Sequence, residues 1–159
     1  MKLFHGSSVV VSTPRILVPN RTLDYGAGFY TTTSEKQAKD WTLRNREYQN
    51  AGYVNVYNFD ESAFSCLNCL VFHSPPADDW VDFVYANRTQ RGFSHNYDLV
   101  YGPVANDRVY AAFALYEQGL LSKQELIGEL KTYSLIDQML FHTDKSLAYL
   151  TFIEAKEVF

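Results

Sequence analysis

The sequence predicts an α+β protein built on two small, mostly antiparallel β-sheets with peripheral helices. Three observations carry that expectation. Short apolar or alternating runs recur along the chain, separated by helical patterns in an irregular order, unlike the strict strand–helix rhythm of a parallel sheet. Segment 53–59, YVNVYNF, alternates as a half-buried strand. Two capping boxes, Ser34-x-x-Gln37 and Ser122-x-x-Glu125, mark helix starts. At 159 residues, with no internal repeat, linker or low-complexity tract, the chain reads as a single domain over 1–159.

Taken in order, Leu3 to Val11 reads as a first strand, apolar apart from His5-Gly6-Ser7-Ser8 and ending in three β-branched valines. Pro14 to Gly28 carries two prolines and two glycines and reads as a long loop. Phe29 to Thr33 is the second strand. The helix capped by Ser34 aligns Ala38, Trp41 and Tyr48 on one face. After the 53–59 strand, Cys69 to Phe72 is a short strand, and Asp78 or Asp79 caps a helix that groups Trp80, Phe83 and Val84. Tyr97 to Tyr101 is a strand ending at Gly102-Pro103. Asp107 reads as the N-cap of a helix that aligns Val109, Ala112, Phe113 and Tyr116 and closes at Gly119. The helix capped by Ser122 turns Leu126, Leu130 and Tyr133 inward. Met139 to Phe141 is a strand, and Leu147 to Ile153 is a turn or short helix followed by a last strand.

Composition narrows the function classes. A hydrophobic share of 47% and a charged share of 20% suit a folded domain with its own core. The aromatic share of 16%, with 12 Tyr and 11 Phe, suits either an aromatic core or a cleft for a flat, polar ligand. A net charge of −4 argues against general binding to a phosphate backbone, which needs a basic surface. There is no apolar run of membrane-spanning length and no signal-peptide pattern, so no membrane and a cytoplasmic location are expected.

The common chemical signatures are missing. The chain has no G-x-S-x-G elbow, no Walker loop and no G-x-G-x-x-G. His5, His73, His95 and His142 show no metal-ligand spacing, and Cys66-x-x-Cys69 offers two of the four ligands that a structural zinc needs, so no metal is expected. The two cysteines read as buried thiols without a special role. Arg15, Arg88 and Arg91 are candidates for gripping a pyrophosphate, beside the plain reading of surface charge. Singly, His5 and Tyr30 read as packing residues, Asp107 as a cap and Gln138 as a strand residue.

Jointly, an ordered set of segments carries more: LFHGSSVVV, DYGAGFYTTTSEKQAKDW, VNVYNFD, FVYANR, YDLVYGPVANDRVY and DQMLFHT. Together they span nearly the whole chain. This set resembles the ADP-ribosyltransferase fold of the H-Y-[E/D/Q] branch, shared with diphtheria toxin and the poly-ADP-ribose polymerases. Within that branch the chain is similar to the small bacterial family known as domain of unknown function 3990.

The resemblance implies an NAD+-dependent ADP-ribosyltransferase that cleaves the nicotinamide–ribose bond and passes ADP-ribose to an unknown acceptor: a protein, a nucleic acid or a small molecule. His5 would hydrogen-bond the adenosine ribose, and Gly6, lacking a Cβ, would let the backbone pair with the nicotinamide carboxamide. Ser7 would reach the nicotinamide-side ribose, and Tyr30 would stack on the nicotinamide ring, an aromatic contact worth on the order of 1 kcal/mol. The loop Leu23 to Gly28, with Phe29 after it and Arg15 as the pyrophosphate candidate, would border NAD+.

The third catalytic position falls on Gln138, where the family pattern has an acid. A neutral amide stabilises the oxocarbenium-like sugar cation much less than a carboxylate. Asp107, beside Asn106, is the other candidate for that charge, while Asp137 should face the opposite side of its strand. The alternative reading is therefore a module that binds NAD+ or ADP-ribose with weak or no turnover. The resemblance also implies a small antitoxin-like companion protein, with this chain as the toxin.

Overall fold

In the computed structural model, the described residues are 1–17, 25–103 and 107–159, with Asp107 and Arg108 described by their backbone alone. The strands are β1 (Lys2–Ser7), β2 (Phe29–Thr32), β3 (Tyr53–Phe59), β4 (Cys69–Val71), β5 (Leu99–Pro103), β6 (Asp137–Phe141) and β7 (Leu150–Glu157). The helices are α1 (Glu35–Arg44), α2 (Ala63–Cys66), α3 (Asp78–Thr89), α4 (Asp107–Glu117), α5 (Lys123–Leu130) and α6 (Asp144–Leu147).

The α+β class holds, but the strands form one mixed seven-stranded sheet, ordered β4-β5-β6-β2-β1-β3-β7, where two sheets were expected. Only β4 and β5 run parallel; the other neighbours are antiparallel. The join between the halves is thin. β1 faces β3 over six residue pairs and β2 faces β6 over four, but β1 meets β2 at Phe4↔Thr32 alone. Hydrophobic alternation says which side of a strand is buried and carries no label for the neighbouring edge, so the single bridge was invisible in the sequence.

Strand alternation sends side chains to two cores. Leu140 of β6 points to the core beneath α3, α4 and α5, with Trp80, Val84, Phe113 and Leu130. Met139 and Phe141, its neighbours, point to the opposite face with Leu3, Phe29 and Tyr57. On the first face, α1 lies over Phe4, Val54 and Val56 through Ala38.

Local expectations meet mixed outcomes. The Ser122–Glu125 box forms in full, and Gly119 closes α4 at φ +76°, where other residues would be strained. At α1, the Ser34 hydroxyl accepts from Gln37 N, but the Gln37 side chain turns to the Thr32 hydroxyl. Thr32 Oγ1 then takes over the Ser34 N–H at 3.1 Å. The buried face of α1 is Ala38 and Thr42, whereas Trp41 is half exposed and Tyr48 is exposed. Ala77, rather than Asp78 or Asp79, precedes α3, and both aspartates sit in its first turn, where the helix dipole favours them. β1 ends at Ser7, four residues before Val11. Cys66 is exposed and Cys69 half-buried, in place of the expected buried pair.

Candidate functional site

The thin join between β1 and β2 is where the candidate residues gather. Beyond Phe4↔Thr32 the backbones part, and the His5 ring makes the next link: its Nδ1 lies 2.7 Å from the Tyr30 main-chain oxygen. A carbonyl oxygen accepts, so Nδ1 carries the proton and Nε2 is the ring's acceptor. Burial pushes the His5 pKa below the ordinary histidine range, against the opposing pull of the Tyr30 bond, so the ring is neutral at pH 7. The ring also packs on Phe29, with centroids 4.5 Å apart, and Phe29 meets Tyr57 edge-on.

A cleft of about 350 Å³ opens here, lined by His5, Ser7, Val9, Val11, Thr13, Arg15, Leu17, Gly28, Phe29 and Tyr30. The structure thus brings together His5, Ser7, Arg15, Gly28, Phe29 and Tyr30, all from the first 30 residues. Among the described residues of that lining, Arg15 is the charged one, and it is exposed. Arg88, by contrast, is committed to Glu117 at 2.7 Å and lies over the Tyr110 and Phe113 rings.

Gly6 is absent from the lining and has a different use. A Cβ built on it would lie 2.4 Å from Ala38 O and 2.6 Å from Thr42 Oγ1, so the bare glycine lets α1 rest directly on β1. The missing Cβ is thus used by helix packing on that side of β1. Gly28 does line the cleft, and it too is held close: a Cβ there would lie 2.7 Å from Phe141 O.

Tyr30 is anchored at both ends. Its hydroxyl donates to Gly26 O at 2.6 Å and accepts from Tyr25 N at 3.3 Å, while its carbonyl receives His5. Its ring packs, half-buried, against the α3–α5 core. The Ser7 hydroxyl accepts from Val9 N at 3.2 Å, which turns the chain out of β1.

Gln138 does not line the cleft. It is 5% exposed, opposite Thr32 on β2 and Gly102 on β5, on the same face as Tyr30. Its amide Nε2 is buried without a partner. A buried donor left unpaired costs about 1–3 kcal/mol. Asp137 faces the other way, as alternation requires, and accepts from Tyr101 OH at 2.8 Å. Asp107 is the first residue of α4; its side chain, and Leu23 and Asp24 of the bordering loop, lie outside the described residues.

Sequence reasoning missed Asn55. It is fully buried in β3, and its amide clamps the segment that roofs the cleft. Nδ2 donates to His5 O and Val9 O, both at 3.3 Å, and Oδ1 accepts from Val11 N at 2.8 Å. Tyr57 OH adds a bond to Val11 O at 2.6 Å. The signal was there: an asparagine at an inward position of an alternating strand must find partners.

Among the described residues, no group of three or more His, Cys, Asp or Glu could hold a metal ion, and no helix is long and apolar enough to cross a membrane.

The mixed sheet thus parts over a small, mostly apolar cleft whose described lining includes His5 and Arg15. The family model described as "Protein of unknown function (DUF3990)" matches residues 1–152, and the chain belongs to that family. Comparison with the curated proteins and with the solved structures finds no match.

Proposed function

We propose that this chain is an NAD+-dependent ADP-ribosyltransferase. The observation that carries the reading is the parted join between β1 and β2, where neutral His5, anchored Tyr30 and Arg15 share one cleft. His5 Nε2 is an acceptor suited to a ribose hydroxyl, and Arg15 is a cation suited to a pyrophosphate. Apolar Val9, Val11 and Leu17 suit the flat faces of a base.

In the proposed reaction the bond from the ribose C1′ to the nicotinamide nitrogen breaks, and its electron pair leaves with nicotinamide. A lone pair of the acceptor forms the new bond to C1′, and the acceptor's proton passes to water. The chain's part is to hold the ribose, exclude water and stabilise the cation that develops at C1′. Gln138 Nε2–H would donate to a hydroxyl of the nicotinamide-side ribose, filling its missing hydrogen bond.

A second reading is favoured by the same residue. Gln138 carries no charge, and Asp137 is turned away to Tyr101. The site would then bind NAD+ or ADP-ribose with little turnover, unless Asp107 supplies the carboxylate.

Transfer of labelled ADP-ribose, with NAD+ calorimetry beside it, tests both. Transfer that is lost in Tyr30→Ala and His5→Ala while both remain folded supports the enzyme. Wild-type levels of transfer in both variants overturn it. Binding without transfer supports the second reading, and a large gain of NAD+ cleavage in Gln138→Glu would show that only the charge was lacking. A companion protein that covers the cleft is part of the proposal; harmless high expression of the chain alone would count against the toxin role.

A further inference from the structure

We infer that His142 and His95 form a proton-sensitive clasp on the Gly26–Gly28 turn, so that acidification loosens the wall of the cleft and the anchor of Tyr30. Its consequence for NAD+ rests on the function proposed above; the clasp itself does not.

The turn is wedged. Gly26 has φ +86°, and a Cβ on it would lie 2.9 Å from Asn87 Oδ1 of α3. Gly28 abuts the end of β6, as described above. Between them, Ala27 O accepts from His142 Nδ1 at 2.6 Å. That bond puts the proton on Nδ1 and leaves Nε2 as a bare acceptor, buried and without a partner. His95 meets the His142 ring edge-on, with centroids 4.5 Å apart. His95 Nδ1 accepts from Tyr97 N at 3.2 Å, so its proton is on Nε2, which faces Tyr25 O at 3.4 Å.

Neither ring has room for a second proton. On His142 it would create a buried N–H without an acceptor, beside another imidazole. On His95 it would turn Nδ1 from acceptor to donor, facing the Tyr97 N–H. Among the described residues, the titratable ones seen against the pair are Tyr25, whose main-chain oxygen faces His95, Tyr97, whose ring lies 5.5 Å from the His95 ring, and Asp98, whose main-chain oxygen accepts from His142 N. From α3 come Asn87 and Phe83, which do not titrate. The Asp98 carboxylate is spent on Asn68 N and Thr143 Oγ1, with Lys145 at 4.0 Å, so it does not neutralise the pair. Burial lowers both histidines from the ordinary range, His142 to about 4.

The turn therefore closes only over neutral rings. Its loosening releases Gly28 from the cleft wall and Gly26 O from the Tyr30 hydroxyl.

The test is hydrogen exchange of the full chain, corrected for intrinsic rates, in parallel with calorimetry of NAD+ from about pH 7.5 to 4.5. Protection of amides 26–30 should fall by up to about tenfold per pH unit for each histidine that takes up a proton below the ordinary histidine pKa, while β3, which opens only on unfolding, stays the more protected. His142→Asn keeps a donor for Ala27 O and cannot be protonated, so its profile should be distinctly shallower, with only the His95 share left. Native protection that does not fall, or that falls equally in a folded His142→Asn, overturns the clasp. Imidazole titration of the native chain gives a check without any variant: loosening at a pH where neither His95 nor His142 titrates overturns it as well. If exchange behaves as expected but NAD+ binds at no pH, the NAD+ reading fails and the clasp stands.

Discussion

His5 Nδ1 donates to the main-chain oxygen of Tyr30 across 2.7 Å, at the point where the backbones of β1 and β2 stop pairing. A side chain thereby carries on the link between the two halves of the sheet. The same bond fixes the tautomer that leaves Nε2 as an acceptor, so one contact serves fold and site together.

These two roles separate by substitution. His5→Asn keeps a donor near the Nδ1 position and removes the Nε2 acceptor. It should stay within about 1 kcal/mol of native stability, the worth of one hydrogen bond, yet lose NAD+ affinity. Urea unfolding and calorimetry read the two effects. Native affinity in a folded His5→Asn would remove His5 from the ligand's contacts.

Tyr30→Phe deletes the bonds to Gly26 O and Tyr25 N and keeps the ring. The expected cost is about 1–2 kcal/mol in urea unfolding, with NAD+ affinity changed only a few-fold. Tyr30→Ala should lose affinity about tenfold through the missing ring face. Equal affinities in the two variants would show that the ring does not stack on the ligand.

Gly6→Ala should destabilise by about 1–3 kcal/mol, because the added carbon meets the backbone oxygen of Ala38 at 2.4 Å. The measurement is the unfolding midpoint. An unchanged midpoint would mean that α1 shifts away from β1 without cost.

Asn55→Ala strips the clamp from His5 O, Val9 O and Val11 N. The expected loss is about 1–3 kcal/mol, together with faster proteolysis in segment 8–11. Cleavage at the native rate would refute the clamp.

His5, His95 and His142 all have folded pKa values below their unfolded value of 6.5. The unfolded chain therefore binds more protons, and stability rises with pH over that window. Stability should be full above about pH 6.5 and fall with acidification, with the His142 share spread down to about pH 4. Unfolding free energy measured across that range checks the sign, and a stability that grows on acidification would contradict it.

How legible was this protein in its sequence? The 53–59 strand has the expected bounds but is buried on both faces from Val54 to Tyr57 rather than half-buried, while the inward faces of α4 and α5 are the ones their periodicity draws. Local patterns succeed there because the face that is buried is written in the residue spacing. They fail at Gln37, whose side chain found Thr32 before the cap, and at Tyr48, which follows the end of α1 in a separate 3-10 turn, so the helical spacing no longer applies.

The candidate site divides in the same way. The sequence alone determined the residue types, among them a histidine in β1, a tyrosine in β2 after two glycines, and a glutamine near the start of β6. Only the tertiary structure decided that β1 and β2 meet at one bridge, that Gly6 faces a helix, that Asn55 clamps the cleft's roof and that Gln138 keeps an unpartnered amide. The physical reason is that spacing along a chain encodes which side of each strand is buried. Which edges pair, and which buried polar groups find partners, depends on segments dozens of residues apart arriving in one place.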